Sequence, residues 1–111
     1  MERRRSMRIP VDWELTLRHG DKVIRATARQ FNEYGMLVSS PQALEIGQRY
    51  HVSFSLPGEQ RVFDVRGFAV YANNTGVGVR FELVPPEMTA EFRRFVNAFR
   101  LGQSRSAGAG L

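Results

Sequence analysis

From Val11 onward, apolar and polar residues alternate one by one. Val11, Trp13, Leu15 and Leu17 share one side, and Asp12, Glu14, Thr16 and Arg18 the other. A period of two is that of a half-buried β-strand. His19-Gly20-Asp21 supplies a turn, and Lys22 to Gln30 repeats the pattern with Ile24, Ala26 and Ala28 on one side; the two segments are expected to form a hairpin. Phe31 to Gly35 interrupts the alternation. Met36 to Val38 then reads as a short third strand, ended by Ser39-Ser40-Pro41, and Leu44 to Gly47 as a connecting turn. A fourth strand places Tyr50, Val52, Phe54 and Leu56 on one side. A fifth spans Gln60 to Tyr71, with Gly67 near its middle where a bulge or bend is expected, and a sixth carries Val77, Val79, Phe81 and Leu83. No connection is long enough for a crossover helix, so the six strands are expected to pair antiparallel and to curl until no edge is left.

After Pro85-Pro86-Glu87 the period changes. Met88, Phe92, Phe95 and Phe99 recur at the spacing of one helical face, and a proline followed by an acid suits a helix start. The spacing predicts a helix of about a dozen residues that packs this face on the sheet, with Arg93, Arg94 and Arg100 in water. Residues 102–111 carry too little apolar mass to order themselves and are expected to form a disordered tail. The division that follows is a flexible arginine-rich arm over 1–10, a barrel with its helix over 11–101, and that tail.

Composition narrows the chemistry. The chain has 111 residues, no cysteine and a formal charge of +5. One domain fits that length, and disulfides, thiolate metal sites and cysteine nucleophiles are excluded. No apolar run is long enough for a membrane span or a secretory leader, so a cytoplasmic protein is expected. Arg3, Arg4, Arg5 and Arg8 stand against Glu2 alone, which puts four positive charges and one negative in the first eight residues. Every basic residue but Lys22 is arginine. The planar guanidinium grips phosphate through paired hydrogen bonds and stacks on bases, so the partner of this arm should be an anion. His19 and His51 have no catalytic partner that the sequence sets beside them, and the carboxylates lack metal-ligand spacing, so neither an enzyme nor a metal site is expected. Gly76-Val77-Gly78 leads into a strand rather than a helix, and turn or packing roles explain it better than a phosphate loop. Single-stranded nucleic acid needs exposed aromatics among cations, whereas the aromatics here, Trp13 included, fall mostly on core positions. Nucleic acid is therefore not the expected partner.

The order of these features resembles the PilZ domain family. Arg4-Arg5-Ser6-Met7-Arg8 resembles the family's RxxxR motif, with Arg3 adjoining it. Gln30-Phe31-Asn32-Glu33-Tyr34-Gly35 stands where the family has (D/N)xSxxG. Gly78-Val79-Arg80-Phe81 and the helix around Phe92-Arg93-Arg94-Phe95 also look like the family, so the resemblance runs from Glu2 to about Phe99. It implies a six-stranded antiparallel β-barrel with one C-terminal helix that receives cyclic di-GMP, needs no cofactor, and acts as a regulatory adaptor on a protein effector. Arg3, Arg4 and Arg8 would contact phosphate or guanine, and Gln30, Asn32, Gly35 and Tyr71 would complete the site. In the second motif only Gly35 matches the family pattern. Gln30 replaces a residue that pairs with the guanine edge, and a lost charge-assisted bond is expected to weaken binding about tenfold. The alternative is a PilZ domain that works through protein contacts without the nucleotide.

Overall fold

The computed structural model describes residues 8–109. Six strands, β1 (Ile9–His19), β2 (Lys22–Asn32), β3 (Gly35–Ser39), β4 (Arg49–Phe54), β5 (Phe63–Ala72) and β6 (Val77–Glu82), precede one helix, α1 (Pro86–Ala109). The strands close into a barrel in the order β1-β2-β3-β6-β5-β4, every pairing antiparallel. Closure depends on the link between β3 and β4, which carries the chain to the far side of the sheet. The buried Leu44 anchors this link, and Gly47 N–H and Gln48 C=O bond to Ala69 of β5, so that β4 enters between β5 and β1.

The interior follows the alternation read from the sequence. Leu15, Leu17, Ile24, Ala26, Ala28, Val52, Phe54 and Val65 face inward and are buried. Aromatic rings fill the end of the barrel under α1. The Phe92 ring lies 5.0 Å from Phe63, 5.5 Å from Phe31, 5.6 Å from Phe54 and 5.9 Å from Phe81. Trp13 stacks on Phe54 and meets Phe31 and Phe95 edge-on, so it belongs to this cluster although it is only half-buried. Edge-to-face and offset pairs of this kind add about 0.5–1.5 kcal/mol each beyond the area they bury.

Several boundaries differ from the sequence reading. β1 begins at Ile9, which is buried, so the barrel takes up the last two residues assigned to the arm. β2 continues through Phe31 and Asn32, and β5 starts only at Phe63, leaving Val62 64% exposed outside it. Gly67 holds regular register; a Cβ there would meet the Val79 and Val52 side chains, so close packing across the interior selects glycine. The inner face of α1 includes Val96 beside Phe92, with Met88, Phe95 and Phe99 packed at its margins. The helix also runs on to Ala109, where a disordered tail was expected from residue 102. Its packed first half supplies the nucleus from which the helix continues. No helix among the described residues is long and apolar enough to cross a membrane.

Candidate functional site

Strict alternation would send Gln30 and Tyr71 into the core, because Ala28 and Ala69 point inward two residues before them. Register shifts prevent this. Arg29 is the extra residue of β2 against β3, between Ala28 and Gln30, and opposite it β1 carries its own extra residue between Pro10 and Trp13. Around Val70, β5 slips against β6, between Ala69 and Tyr71. A bulge of this kind sends two successive residues to the same side. Arg29 and Gln30 are both exposed while Phe31 regains the interior, and on β5 Val70 is half-buried and Tyr71 exposed. Asp12 fastens the first bulge with a 3.3 Å ion pair to Arg29.

These shifts set up one row across the outer face. Pro10 pairs with Gln30, Gln30 with Leu37, Leu37 with Gly78, and Gly78 with Tyr71. The middle of the row is apolar. Leu37 is only 3% exposed although it stands outside the interior cluster, and the Tyr71 ring occupies the space that a side chain at residue 78 would need. Arg8, immediately before β1, donates from Nη1 to Tyr71 Oη at 2.8 Å. It thus joins the two ends of the row, with β2, β3 and β6 lying between β1 and β5 in the barrel order.

The second motif forms the hairpin beside this row. Asn32 Oδ1 accepts the backbone N–H groups of Tyr34 (2.8 Å) and Gly35 (3.0 Å), a local side-chain bond that shapes the two-residue turn Glu33-Tyr34. Tyr34 C=O accepts Phe81 N–H, tying the turn to β6. Glu33, 3% exposed, receives Arg93 Nε at 2.9 Å, and Arg93 Nη2 reaches Tyr34 Oη at 3.3 Å. Arg93, assigned to water by helical spacing, therefore latches α1 to the turn. The bonds to Glu33 and then Tyr34 raise the Arg93 pKa above the ordinary guanidinium value and keep it charged. No sequence signal marked this pair, because its members lie 60 residues apart.

Of the residues expected to form a site, Arg8, Gln30 and Tyr71 come together on the outer face. Asn32 and Gly35 build the hairpin instead of presenting side chains on the row. Arg3 and Arg4 lie outside the described residues. A Cβ on Gly35 would collide with Val79 O, so the close approach of β3 to β6 is what demands glycine there. Gly35→Ala is accordingly expected to lower the thermal unfolding midpoint by about 4–8 °C for each kcal/mol of strain introduced. A midpoint within 1–2 °C of the parent, roughly the error of a scan, would show that the strands part without cost.

His19 Nδ1 lies 2.9 Å from Gln48 Nε2, and His51 Nδ1 lies 4.0 Å from Asp64 Oδ1. Among the described residues no group of three or more His, Cys, Asp or Glu side chains is placed to hold a metal ion.

Comparison with known proteins agrees with this architecture. The chain aligns over 99% of its length with a crystal structure of Escherichia coli YcgR in complex with c-di-GMP, at 19% identity and a TM-score of 0.83, covering 51% of that protein. It covers 53% of the Bacillus subtilis inhibitor of motility MotI/DgrA, at 12% identity and a TM-score of 0.76. It therefore spans about half the length of these two proteins. A structure of the E. coli YcgR PilZ domain with c-di-GMP is matched over 98% of both chains, at 18% identity and a TM-score of 0.71. A search of curated proteins found no match. At these identities the solved structures speak for the fold. The PilZ domain family model, however, matches residues 2–98, from the arginines ahead of β1 through the strands that carry the row to the helix that latches its hairpin, and the chain belongs to the PilZ domain family.

Proposed function

We propose that this domain binds cyclic di-GMP on the outer face between Arg8 and Tyr71, and that it acts as a cytoplasmic regulatory adaptor rather than as an enzyme. The observation that carries the reading is the placement of Arg8, Gln30 and Tyr71 at one surface by two bulges that alternation alone would not create. The ligand offers two phosphates and two guanines. Arg8 can fork onto a phosphate or a guanine edge, Gln30 can donate to and accept from a base edge, and Tyr71 offers a ring and a hydroxyl beside the apolar strip of Leu37 and Gly78. Arg3 and Arg4 belong to the same arginine motif and would close over the ligand from the arm, exchanging water contacts for charge-assisted bonds. Arg8 is held by a neutral phenol, a weaker partner than phosphate, so ligand binding would draw it away from Tyr71. The ordered arm would then form a new surface for a protein effector.

Isothermal titration of the full chain with cyclic di-GMP is the test. Saturable heat with a micromolar Kd is the expected result, with amide shifts in NMR spectra at Arg8, Gln30 and Leu37. No heat and no shifts at submillimolar ligand would overturn nucleotide binding and leave the reading in which the domain acts through protein contacts alone.

A further inference from the structure

At the opposite end of the barrel the sheet lines up basic side chains. Arg18 on β1 pairs with His51 on β4, His51 with Arg66 on β5, and Arg66 with Glu82 on β6, all on the outer face. His51 thus stands between Arg18 and Arg66, which lie two strands apart, and an anionic segment can engage both guanidinium groups at once. Two carboxylates stand beside the row. Glu82 is taken by Arg49 Nε at 3.1 Å, and Asp64 sits 4.0 Å from His51. Arg18 and Arg66 make no ion pair or hydrogen bond with another side chain among the described residues. A groove of about 340 Å³ runs between Arg18, Arg49, His51 and Arg66.

A second groove, about 440 Å³, shares His51 and Arg66 with the first, carries Asp64 and Glu82 on its wall and ends at Leu83. Leu83 is 81% exposed and has φ of 54°, a left-handed backbone that bulky side chains rarely adopt. The junction between β6 and α1 thus holds an aliphatic side chain out in water at the rim of this second groove, beyond the arginines of the first.

We propose that these joined grooves dock an acidic protein segment, with carboxylates on Arg18, Arg49 and Arg66 and an apolar side chain against Leu83. The paired donors of guanidinium match carboxylate geometry, and Arg49 would exchange its exposed bond to Glu82 for the incoming acid. A protein segment fits better than single-stranded nucleic acid because the exposed hydrophobic group at the end of the grooves is the aliphatic Leu83, which matches an apolar side chain better than a base, and because the larger rings here are not free to stack. Tyr50 is 6% exposed with its hydroxyl bonded to Glu45 N–H, and the Phe68 ring lies 5.2 Å beneath the Arg49 guanidinium. The surface is also separate from the Arg8 face: Arg18 and Arg8 stand ten residues apart along β1, about 33 Å of extended strand. Both faces can therefore be occupied together, and the docking surface does not depend on nucleotide binding.

The test is fluorescence anisotropy of the full chain with a dye-labelled, end-blocked heptapeptide of six glutamates around a central leucine. Binding is expected to weaken about tenfold or more in R18E/R66E, through loss of charge-assisted bonds, and about threefold in L83S, through loss of apolar contact. R94E/R100E makes the same change in net charge on the exposed side of α1 and is expected to shift Kd by less than about twofold. Circular dichroism of each variant confirms the fold. Equal losses in R18E/R66E and R94E/R100E would overturn the proposal in favour of diffuse attraction. Displacement of the peptide by a twelve-residue oligothymidylate at equal or lower concentration would overturn it in favour of nucleic acid.

Discussion

Replacing Phe31 by alanine is expected to cost about 3–5 kcal/mol of folding stability, a large share of the 5–15 kcal/mol that holds a domain of this size. Phe31 is fully buried and contacts rings from β1, β4, β6 and the helix: Trp13 at 5.5 Å, Phe54 at 5.9 Å, Phe81 at 6.3 Å, Phe92 at 5.5 Å and Phe95 at 6.1 Å. Removing it opens a cavity that so many anchored neighbours cannot collapse to fill. It also lies between Gln30 and Asn32, so the loss would loosen the bulge and the hairpin together. Urea unfolding followed by tryptophan fluorescence reads the effect, because Trp13 packs directly on Phe31. Phe31→Leu keeps most of the volume and is expected to recover all but about 1.5 kcal/mol. A loss under about 1 kcal/mol for the alanine variant would mean that the aromatic cluster is not the centre of the fold.

The second large effect falls on binding and leaves the fold in place. Arg8→Ala removes a guanidinium whose bond to Tyr71 is exposed. Its thermal midpoint is expected to stay near that of the parent, since exposed polar contacts contribute little. Affinity for cyclic di-GMP is expected to fall about tenfold to a hundredfold, the value of a charge-assisted hydrogen bond of roughly 1.5–3 kcal/mol. Arg8→Lys should fall between parent and alanine, because a point charge retains attraction but loses the fork. Tyr71→Phe separates the phenol from the ring: it removes the bond to Arg8 while keeping the apolar cover over Gly78. Titration calorimetry on the variants measures each step, and an alanine variant within twofold of the parent would remove Arg8 from the site.

The latch between helix and hairpin gives these effects a common frame. Glu33 is a buried carboxylate whose partner Arg93 comes from α1, and a buried charge left without its partner is strongly destabilising. The helix and the turn beside the Arg8 row are therefore mechanically joined. Among the described residues, the Glu33–Arg93 ion pair and the Tyr34 hydroxyl link the hairpin to α1, beside the packing of Phe31 on Phe92 and Phe95.

The sequence by itself determined the elements. A side-chain period of two in the strands, turn residues between them, and Met88, Phe92, Phe95 and Phe99 at helical spacing fixed six antiparallel strands and a packed helix, because these patterns express local geometry and burial. The arginines ahead of β1 were equally legible, since charge needs no neighbour to be recognised. Tertiary structure alone decided which residues reach the surface to form a site. Gln30 and Tyr71 sit on inward positions of their strands until bulges at Arg29 and Val70 turn them outward. A bulge is a mismatch between two strands, so neither strand carries it alone. The same holds for the pairing of β4 with β1, the Glu33 and Arg93 contact, and the row of basic side chains from Arg18 to Arg66: each depends on which distant segments the closing barrel sets side by side.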